Sequence, residues 1–228
     1  MTEHRRGPRG NISRDQLVAA AAGVLDAEGL HGLTQRSVAR AAGVSPTVLY
    51  TYFTDMDDLR HAVGDAFIQS WPLPLVQGEG SPRDRIRAFL EAALEACAQR
   101  PCQAELLATQ AVVGPGSLAL NEGLLRVLVD EAPQGAGMDP LAAHDLVGVL
   151  TAWFFGWLQS DLPSTSVAPD SPQVARMDFS STPLSTLAWA QAAQRHVDDP
   201  HAGRGAALDL ICSLVPEPTA AEPDPVRR

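Results

Sequence analysis

The sequence contains no lysine, so arginine supplies all of its basic side chains apart from histidine. It has only three cysteines, Cys97, Cys102 and Cys212, whose odd number and spacing argue against a disulfide framework or a zinc site. We expect these thiols to stay free in a reducing cytoplasm. No apolar run of about 18 residues occurs, and the arginine-rich N-terminus has no hydrophobic signal segment. The sequence therefore predicts a cytoplasmic protein without a membrane span.

The motifs of the common enzyme classes are also missing. There is no GxSxG elbow, P-loop, HExxH motif, Cys–His metal cluster or Rossmann glycine run. The histidines are scattered, and no pair of carboxylates has a spacing typical of acid–base catalysis. We predict no catalytic residue, no metal and no cofactor. An all-α hydrolase or lyase is kept as an alternative, as is an adaptor protein.

The net charge of −10 is distributed unevenly along the chain. Residues 1–56 carry six arginines and five acidic residues, whereas residues 57–228 carry eleven arginines and twenty-two acidic residues. Charges are screened over about 8 Å at physiological salt, so the two parts can act separately. The N-terminal part, with six arginines and five acidic residues, is only weakly basic for a nucleic-acid binder. The excess of acidic residues lies entirely in residues 57–228.

The stretch from Leu33 to Phe53 has the pattern of two short helices joined by a tight turn. Thr34 can cap the first helix, and Gly43 stands where a helix ends in the left-handed conformation. Ser45 and Pro46 then start a second helix at once. This pattern is typical of a helix-turn-helix, whose second helix enters the DNA major groove. An αα-corner inside an all-α protein has the same glycine and caps, and is the alternative.

Helical periodicity extends over most of the remaining chain, and no strand or repeat is evident. Ser13 and Gln16 form a capping box for a helix that ends at Gly29. Thr54 is expected to cap a fourth helix that runs to about Trp71. Further helices are predicted over residues 82–97, 102–113, 118–132, 140–162, 184–197 and 204–215. The stretch 163–183 lacks periodicity and is predicted to be a long loop.

Identities at specific positions, together with a match upstream to Ala19, resemble the DNA-binding segment of the tetracycline-repressor (TetR) family. The residues that carry the resemblance are Leu33, Thr34, Arg36, Val38, Ala39, Ala42, Gly43, Val44, Ser45, Leu49, Tyr50, Phe53 and Leu59. The resemblance implies an all-α protein with an N-terminal helix-turn-helix domain of three helices and a larger all-α effector-binding and dimerisation domain. It also implies a homodimeric repressor that a small molecule releases from a palindromic operator. A regulator of the same fold without a small-molecule effector is the alternative.

The predicted domain organisation follows from composition and from the resemblance. Residues 1–12 form a disordered basic arm, which is either a solvated tail or an additional DNA contact. Residues 13–56 form the helix-turn-helix DNA-binding domain, and residues 57–215 form the effector-binding and dimerisation domain. Residues 216–228 are rich in proline and acidic residues and form a disordered tail.

Candidate DNA contacts lie at the start of each helix of the helix-turn-helix. Thr47 and Val48 are in the first turn of the second helix, where side chains meet base edges. The hydroxyls that follow suit phosphate oxygens, which position a protein without reading sequence. Tyr50 packing in a core and Arg36 in a surface salt bridge are the alternatives. The candidates are Gln35, Arg36, Pro46, Thr47, Val48, Tyr50, Thr51 and Tyr52.

One position departs from the family pattern. The family usually has a lysine three residues after the position of Phe53, where it meets a phosphate. This chain has Met56 there, flanked by Asp55, Asp57 and Asp58. We therefore expect that backbone N–H groups alone serve a phosphate at this helix end, or that the contact is missing.

The larger domain offers fewer specific signals. Aromatic and isolated polar residues within its apolar helices are candidates for an effector pocket, since such pockets are mostly apolar with a few polar groups. We expect a largely apolar effector, whereas a core or dimer-interface role for these residues is the alternative. The candidates are Gln110, His144, Trp153, Phe155 and Trp189.

The last long helices are predicted to form a homodimer. The apolar stripe from Pro140 to about Leu162 is too wide for the short preceding helices to cover. The helix from Arg204 to Val215 adds a second stripe that includes Leu210 and Ile211. We predict a four-helix contact around a two-fold axis, with packing inside one chain as the alternative.

Overall fold

The computed structural model describes residues 12–129, 137–161, 172, 176, 183–199 and 202–216, without the side chains of residues 161, 185, 189, 192, 193, 196 and 197. The predicted arm up to residue 11, most of the 163–183 stretch and the tail beyond residue 216 lie outside this description. The described residues form helices joined by turns, with no strand among them, so the all-α prediction is confirmed. The helices are α1 (Arg14–Gly32), α2 (Gln35–Ala42), α3 (Pro46–Leu49), α4 (Met56–Gln69), α5 (Pro74–Gln77), α6 (Pro82–Gln99), α7 (Pro101–Thr109), α8 (Pro115–Val129), α9 (Pro140–Asp161), α10 (Pro183–Asp198) and α11 (Ala202–Cys212).

The start of α1 confirms the predicted capping box. Ser13 Oγ accepts a hydrogen bond from the Gln16 backbone N–H at 3.1 Å, and Gln16 Oε1 accepts one from the Ser13 backbone N–H at 2.8 Å. Gly29 interrupts the helical geometry with a φ of 69°, which a residue with a Cβ rarely adopts. One further turn follows to Gly32, so the helix extends slightly beyond its predicted end.

Compactness divides the chain into two units. The first unit contains residues Met1–Gln69 and Arg100–Ser117, and the second contains Ser70–Gln99 and Leu118–Arg228. Residues 57–69 and 100–117 thus group with the N-terminal helices, although the sequence analysis assigned them to the larger domain. This division concerns packing alone. The functional boundary after residue 56 stays a prediction.

The first unit has one hydrophobic core. It is formed by apolar side chains of α1, α2, α4 and α7, together with two residues around the end of α3. Leu49 and Phe53, which the sequence analysis interpreted as core residues, are each 3% exposed. The other main members are Leu17, Ala21, Val24, Leu25, Val38, Ala39, Leu59, Ala62, Val63 and Leu106. This core holds the short α3 on a rigid base.

The second unit is built around α6 and α9. The buried face of α6 follows the predicted helical spacing and includes Phe89, which contacts Trp71 with 6.3 Å between ring centroids. Trp71 also contacts Phe154 of α9 at 5.4 Å. Burial raises the pKa of Cys97 to about 12 and that of Cys212 to about 11, so these free thiols are poor nucleophiles at neutral pH.

Helix α9 is the most apolar element of the second unit. By length and composition alone, Pro140–Ser160 could cross a membrane, a test that the core helix of a soluble protein also passes. One face of this helix is buried inside the unit at helical spacing, which fits a core helix. The buried residues are Ala143, Leu146, Val147, Leu150, Phe154 and Leu158. The opposite face exposes Leu141 and Val149.

Candidate nucleic-acid interface

Two local motifs mark the beginning and the end of α2. Thr34 Oγ1 accepts from the Ser37 backbone N–H at 3.2 Å, and Ser37 Oγ accepts from the Thr34 backbone N–H at 2.9 Å. At the other end of α2, Gly43 has φ 68° and ψ 28°, and the following Val44 N–H donates back to the Ala39 carbonyl at 3.0 Å. The predicted cap and the predicted glycine stop are both confirmed.

Helix α3 is only four residues long, and its first residue is Pro46 as predicted. Ser45 has the extended backbone of an N-cap, but its side chain does not cap the helix. Its hydroxyl instead shares a hydrogen bond with Thr47 Oγ1 at 2.9 Å. The predicted N-cap position of Ser45 is therefore confirmed, although its hydroxyl bonds to Thr47 and not to a backbone N–H of α3. The bond also orients Thr47 at the start of α3.

Most of the candidate DNA contacts are exposed in the first unit. Tyr50 is 56% exposed, which argues against its packing in the core. Arg36 is also exposed, and no carboxylate among the described residues pairs with it. The other exposed candidates are Pro46, Thr47 and Thr51, whereas Val48 is half-buried.

Gln35 and Tyr52 are instead engaged within the protein. Gln35 Nε2 donates to the Pro46 carbonyl at 3.0 Å and so joins the start of α2 to the start of α3. The Tyr52 hydroxyl donates its only proton to the Ile12 carbonyl at 2.5 Å. It cannot donate to a phosphate while this bond is present. Both side chains thus make hydrogen bonds inside the helix-turn-helix unit, and their predicted contacts with DNA stay a prediction.

Removing the Tyr52 hydroxyl should affect stability more than DNA binding. In Tyr52→Phe, the half-buried Ile12 carbonyl loses its donor, which should lower the free energy of unfolding by about 1 kcal/mol. DNA affinity per folded molecule should stay unchanged. Denaturant unfolding and a DNA titration under the same buffer measure the two effects. A large loss of affinity without loss of stability would show that the Tyr52 hydroxyl contacts DNA.

The start of α4 is capped by acidic side chains. Asp55 Oδ1 accepts from the Asp58 backbone N–H at 2.8 Å, and Asp58 Oδ2 accepts from the Thr54 backbone N–H at 2.9 Å. The predicted Thr54 cap is thus wrong by one residue, because the Asp55 carboxylate is the stronger acceptor. A phosphate that approached this helix end would have to displace these carboxylates from the N–H groups.

Met56 follows these caps and packs partly buried against the core of the first unit. A lysine here could lay its methylene groups on the same surface and extend its ammonium into solvent. If DNA passes this helix end, Met56→Lys should tighten binding and steepen its salt dependence by about one ion. Titrations at several salt concentrations test this, with Met56→Gln as the uncharged control. An unchanged slope would show that no phosphate lies nearby.

The effector-pocket candidates are divided between the two units of the chain. Gln110 belongs to the first unit, whereas His144, Trp153 and Phe155 belong to the second. The side chain of Trp189 lies outside the described residues. Within the second unit, His144 is exposed and Trp153 is half-buried.

Trp157, another aromatic residue of α9, contacts one of the pocket candidates. Its ring stacks on Trp153 with 5.8 Å between centroids, and its buried indole N–H has no hydrogen-bond partner among the described residues. The i, i+4 spacing of the two tryptophans indicated the stacking. The missing partner is visible only in the folded chain.

A short α2, a glycine turn and a proline-initiated α3 with exposed polar residues define a helix-turn-helix protein, a class that binds DNA. Residues 17–63 match the family described as bacterial regulatory proteins, tetR family. This segment of the chain therefore carries the DNA-binding pattern of the TetR family.

Two relatives are transcriptional regulators. The chain is 28% identical over 130 residues to the HTH-type transcriptional repressor DrrR1 of Streptomyces coeruleorubidus. The aligned region covers 57% of this chain and 47% of DrrR1. It is 32% identical over 133 residues to an HTH-type transcriptional regulator of Saccharopolyspora erythraea, which covers 58% of this chain and 55% of that protein. The matches thus span about half the length of these relatives.

A solved structure shares the fold over most of the chain. Apo ActR from Streptomyces coelicolor matches with a TM-score of 0.69 at 18% identity, covering 90% of this chain and 97% of ActR. ActR in complex with actinorhodin matches with a TM-score of 0.67 at 17% identity over the same shares. The two curated relatives are named as transcriptional regulators, which agrees with the prediction that the chain is not an enzyme.

Proposed function

We propose that this chain is a cytoplasmic, ligand-responsive repressor that binds a palindromic DNA operator as a homodimer. The observation that carries the proposal is the helix-turn-helix with its exposed Arg36, Thr47, Tyr50 and Thr51. In this proposal, Thr47 and the half-buried Val48 meet base edges in the major groove. Tyr50 and Thr51 donate to phosphate oxygens, and Arg36 contacts a base or a phosphate.

The local charges indicate moderate rather than strong attraction to DNA. The exposed cationic groups near the helix-turn-helix include Arg36 and Arg40, but Arg40 pairs with Glu28 at 3.0 Å. Arg14 lies over the ring of Phe53, 4.9 Å from its centroid. The acidic start of α4 opposes phosphate approach. Shape and hydrogen bonding in the groove therefore provide a large share of the affinity in this proposal.

The homodimer is supported by apolar side chains that the second unit leaves exposed. Leu210 and Leu214 lie on one face of α11 and its C-terminal turn and are 75% and 53% exposed. Leu208 and Cys212 lie on the other face and are buried within the protomer. The exposed face of α9 with Leu141 and Val149 provides a second apolar surface. We propose that these faces pair across the two-fold axis.

The effector part of the proposal rests on the second unit and on ActR, which has been solved with actinorhodin. The stacked Trp153 and Trp157 and the adjacent Phe155 can contact an apolar ligand. The buried Trp157 indole N–H could donate to an acceptor on it. A ligand that favours one arrangement of the dimer would weaken operator binding only by its difference in affinity between the two states.

A mobility-shift assay on the DNA that flanks its own gene tests the proposal. The full-length protein without ligand should give a specific shift that an excess of unrelated DNA does not remove. Footprinting should then show two symmetric half-sites, about one helical turn apart or a multiple of it. A Thr47→Ala, Tyr50→Phe double variant is the matched control. Equal binding of any DNA by both proteins would contradict the proposal.

A further inference from the structure

One buried carboxylate in the first unit has an unusual set of partners. Asp65 lies on α4 and is 4% exposed. Its Oδ2 accepts from the Gly116 backbone N–H at 3.0 Å and from Gln69 Nε2 at 2.9 Å, and its Oδ1 accepts from the Ser117 backbone N–H at 2.9 Å. Burial alone would raise the pKa of Asp65, but these hydrogen bonds outweigh it and lower the pKa. The group is therefore ionised at neutral pH and holds the N-terminus of α8.

Glycines allow this close approach between α4 and the segment before α8. A Cβ at Gly114 would lie 2.4–2.7 Å from the carboxylate atoms of Asp65. A Cβ at Gly116 would lie 2.8 Å from the Asp65 carbonyl oxygen, and one at Gly64 would lie 2.6 Å from Val112 Cγ2. No real Cβ is found at such distances, so any side chain at these positions would displace the segment.

The partners of Asp65 stand at the places where the chain leaves the first unit. Gln69 is the last residue of this unit before the chain enters the second, and Ser117 is the last residue of the segment 100–117. The chain passes between the two units at three points, after Gln69, before Arg100 and after Ser117. The Asp65 carboxylate bonds to the residues at the first and the third of these points. The helix-turn-helix core reaches α4 through Leu59 and Val63, which do not depend on these bonds.

We infer that Asp65 is a positioning residue that holds Gln69 and Ser117, the residues where the chain leaves the first unit, in one arrangement. Asp65 thereby sets the spacing of the two DNA half-sites that the dimer can bind. The inference rests on the proposed function, because only a dimer on two half-sites has a spacing to set. Loss of the tie should leave each helix-turn-helix folded and able to bind one half-site. The positions of Gln69 and Ser117 relative to each other should then vary. Binding both half-sites at once would require the protein to lose this freedom, which lowers the affinity for the full operator.

The test compares three probes with the full-length protein. The probes are the footprinted operator, one isolated half-site, and operators with one base pair added or removed between the half-sites. We expect Asp65→Asn to bind the full operator about tenfold more weakly than wild type, with unchanged half-site affinity. The variant should also distinguish less between the correct and altered spacings, because its amide presents a donor where the carboxylate accepted.

A control and a second variant separate positioning from general destabilisation. Val63→Ala removes buried methyl groups from α4 next to the tie and should lower stability without changing the ratio of full-operator to half-site affinity. Gly116→Ala disturbs the tie without removing the charge and should reproduce the effect of Asp65→Asn. It decides the outcome if Asp65→Asn does not fold.

Two results would overturn the inference, and they are distinguishable from failure of the proposed function. If Asp65→Asn and Gly116→Ala keep the wild-type affinity ratio and spacing profile, Asp65 does not set the spacing. If Val63→Ala shifts the ratio equally, Asp65 acts through stability alone. If the wild type itself shows no specific DNA binding, the proposed function fails and the inference fails with it.

Discussion

Replacing Leu210 with glutamate should convert the proposed dimer into folded monomers that lose cooperative binding to a full operator. Leu210 is 75% exposed in the protomer, so a charge there meets no intrachain core. An obligate interface buries about 2,000 Å² or more of largely apolar surface, and an unpaired carboxylate inside it is strongly unfavourable. We expect operator affinity to fall by at least about 100-fold, since each monomer then binds one half-site alone.

The contrast with a buried neighbour makes this experiment decisive. Leu208, two residues earlier on α11, is 0% exposed, so Leu208→Ala should lower the thermal midpoint and leave association intact. Sedimentation at micromolar concentration measures the mass, and circular dichroism measures the fold. A wild-type protein that sediments as a 24.2 kDa monomer would contradict the dimer. Unfolding of Leu210→Glu would show that this face packs within its own chain.

Removing the Thr47 and Tyr50 hydroxyls should weaken operator binding while the thermal midpoint stays nearly unchanged. Both side chains are exposed on the helix-turn-helix, so neither Thr47→Ala nor Tyr50→Phe opens a cavity or leaves a buried group unpaired. Each variant should lose roughly 1–3 kcal/mol of binding free energy if the hydroxyl contacts a base. A phosphate contact at Tyr50 should instead weaken binding to all sequences similarly.

Tyr52→Phe is the matched comparison for these two variants. It removes the same hydroxyl from the same turn, but that hydroxyl is bonded to Ile12. In binding titrations, Tyr50→Phe should lower the DNA affinity and Tyr52→Phe should not. In thermal unfolding, Tyr52→Phe should lower the midpoint and Tyr50→Phe should not. If Thr47→Ala and Tyr50→Phe lose stability and affinity in parallel, these residues belong to a packed corner, and the DNA-binding interpretation is wrong.

The features that the sequence predicted correctly are those whose partners lie a few residues apart. The Ser13–Gln16 capping box, the Thr34 cap and the left-handed Gly43 depend on contacts within five residues along the chain. Such contacts form whenever the local segment is helical, so residue type and spacing suffice to predict them. The one-residue error at Thr54 arose because several adjacent acceptors compete for the same N–H groups.

The tertiary structure decided which of the candidate DNA-contacting side chains are exposed and which are hydrogen-bonded within the protein. Gln35 and Tyr52 have the same types of group as the exposed candidates, but they bond to Pro46 and Ile12, 11 and 40 residues away. The sequence analysis did not select Asp65, whose partner Ser117 lies 52 residues further on. No periodicity encodes these distances, because they depend on how separate helices pack.

The sequence by itself determined that this protein is all-α and carries a helix-turn-helix at residues 33–53, since helical periodicity, caps and family identities are local properties. Only the tertiary structure decided that α7 completes the core of the first unit, that Leu210 is exposed while Leu208 is buried, and that Asp65 ties two chain crossings together. The physical reason is that burial and long-range hydrogen bonds depend on helices brought together by the fold, whereas helix formation depends on neighbours along the chain.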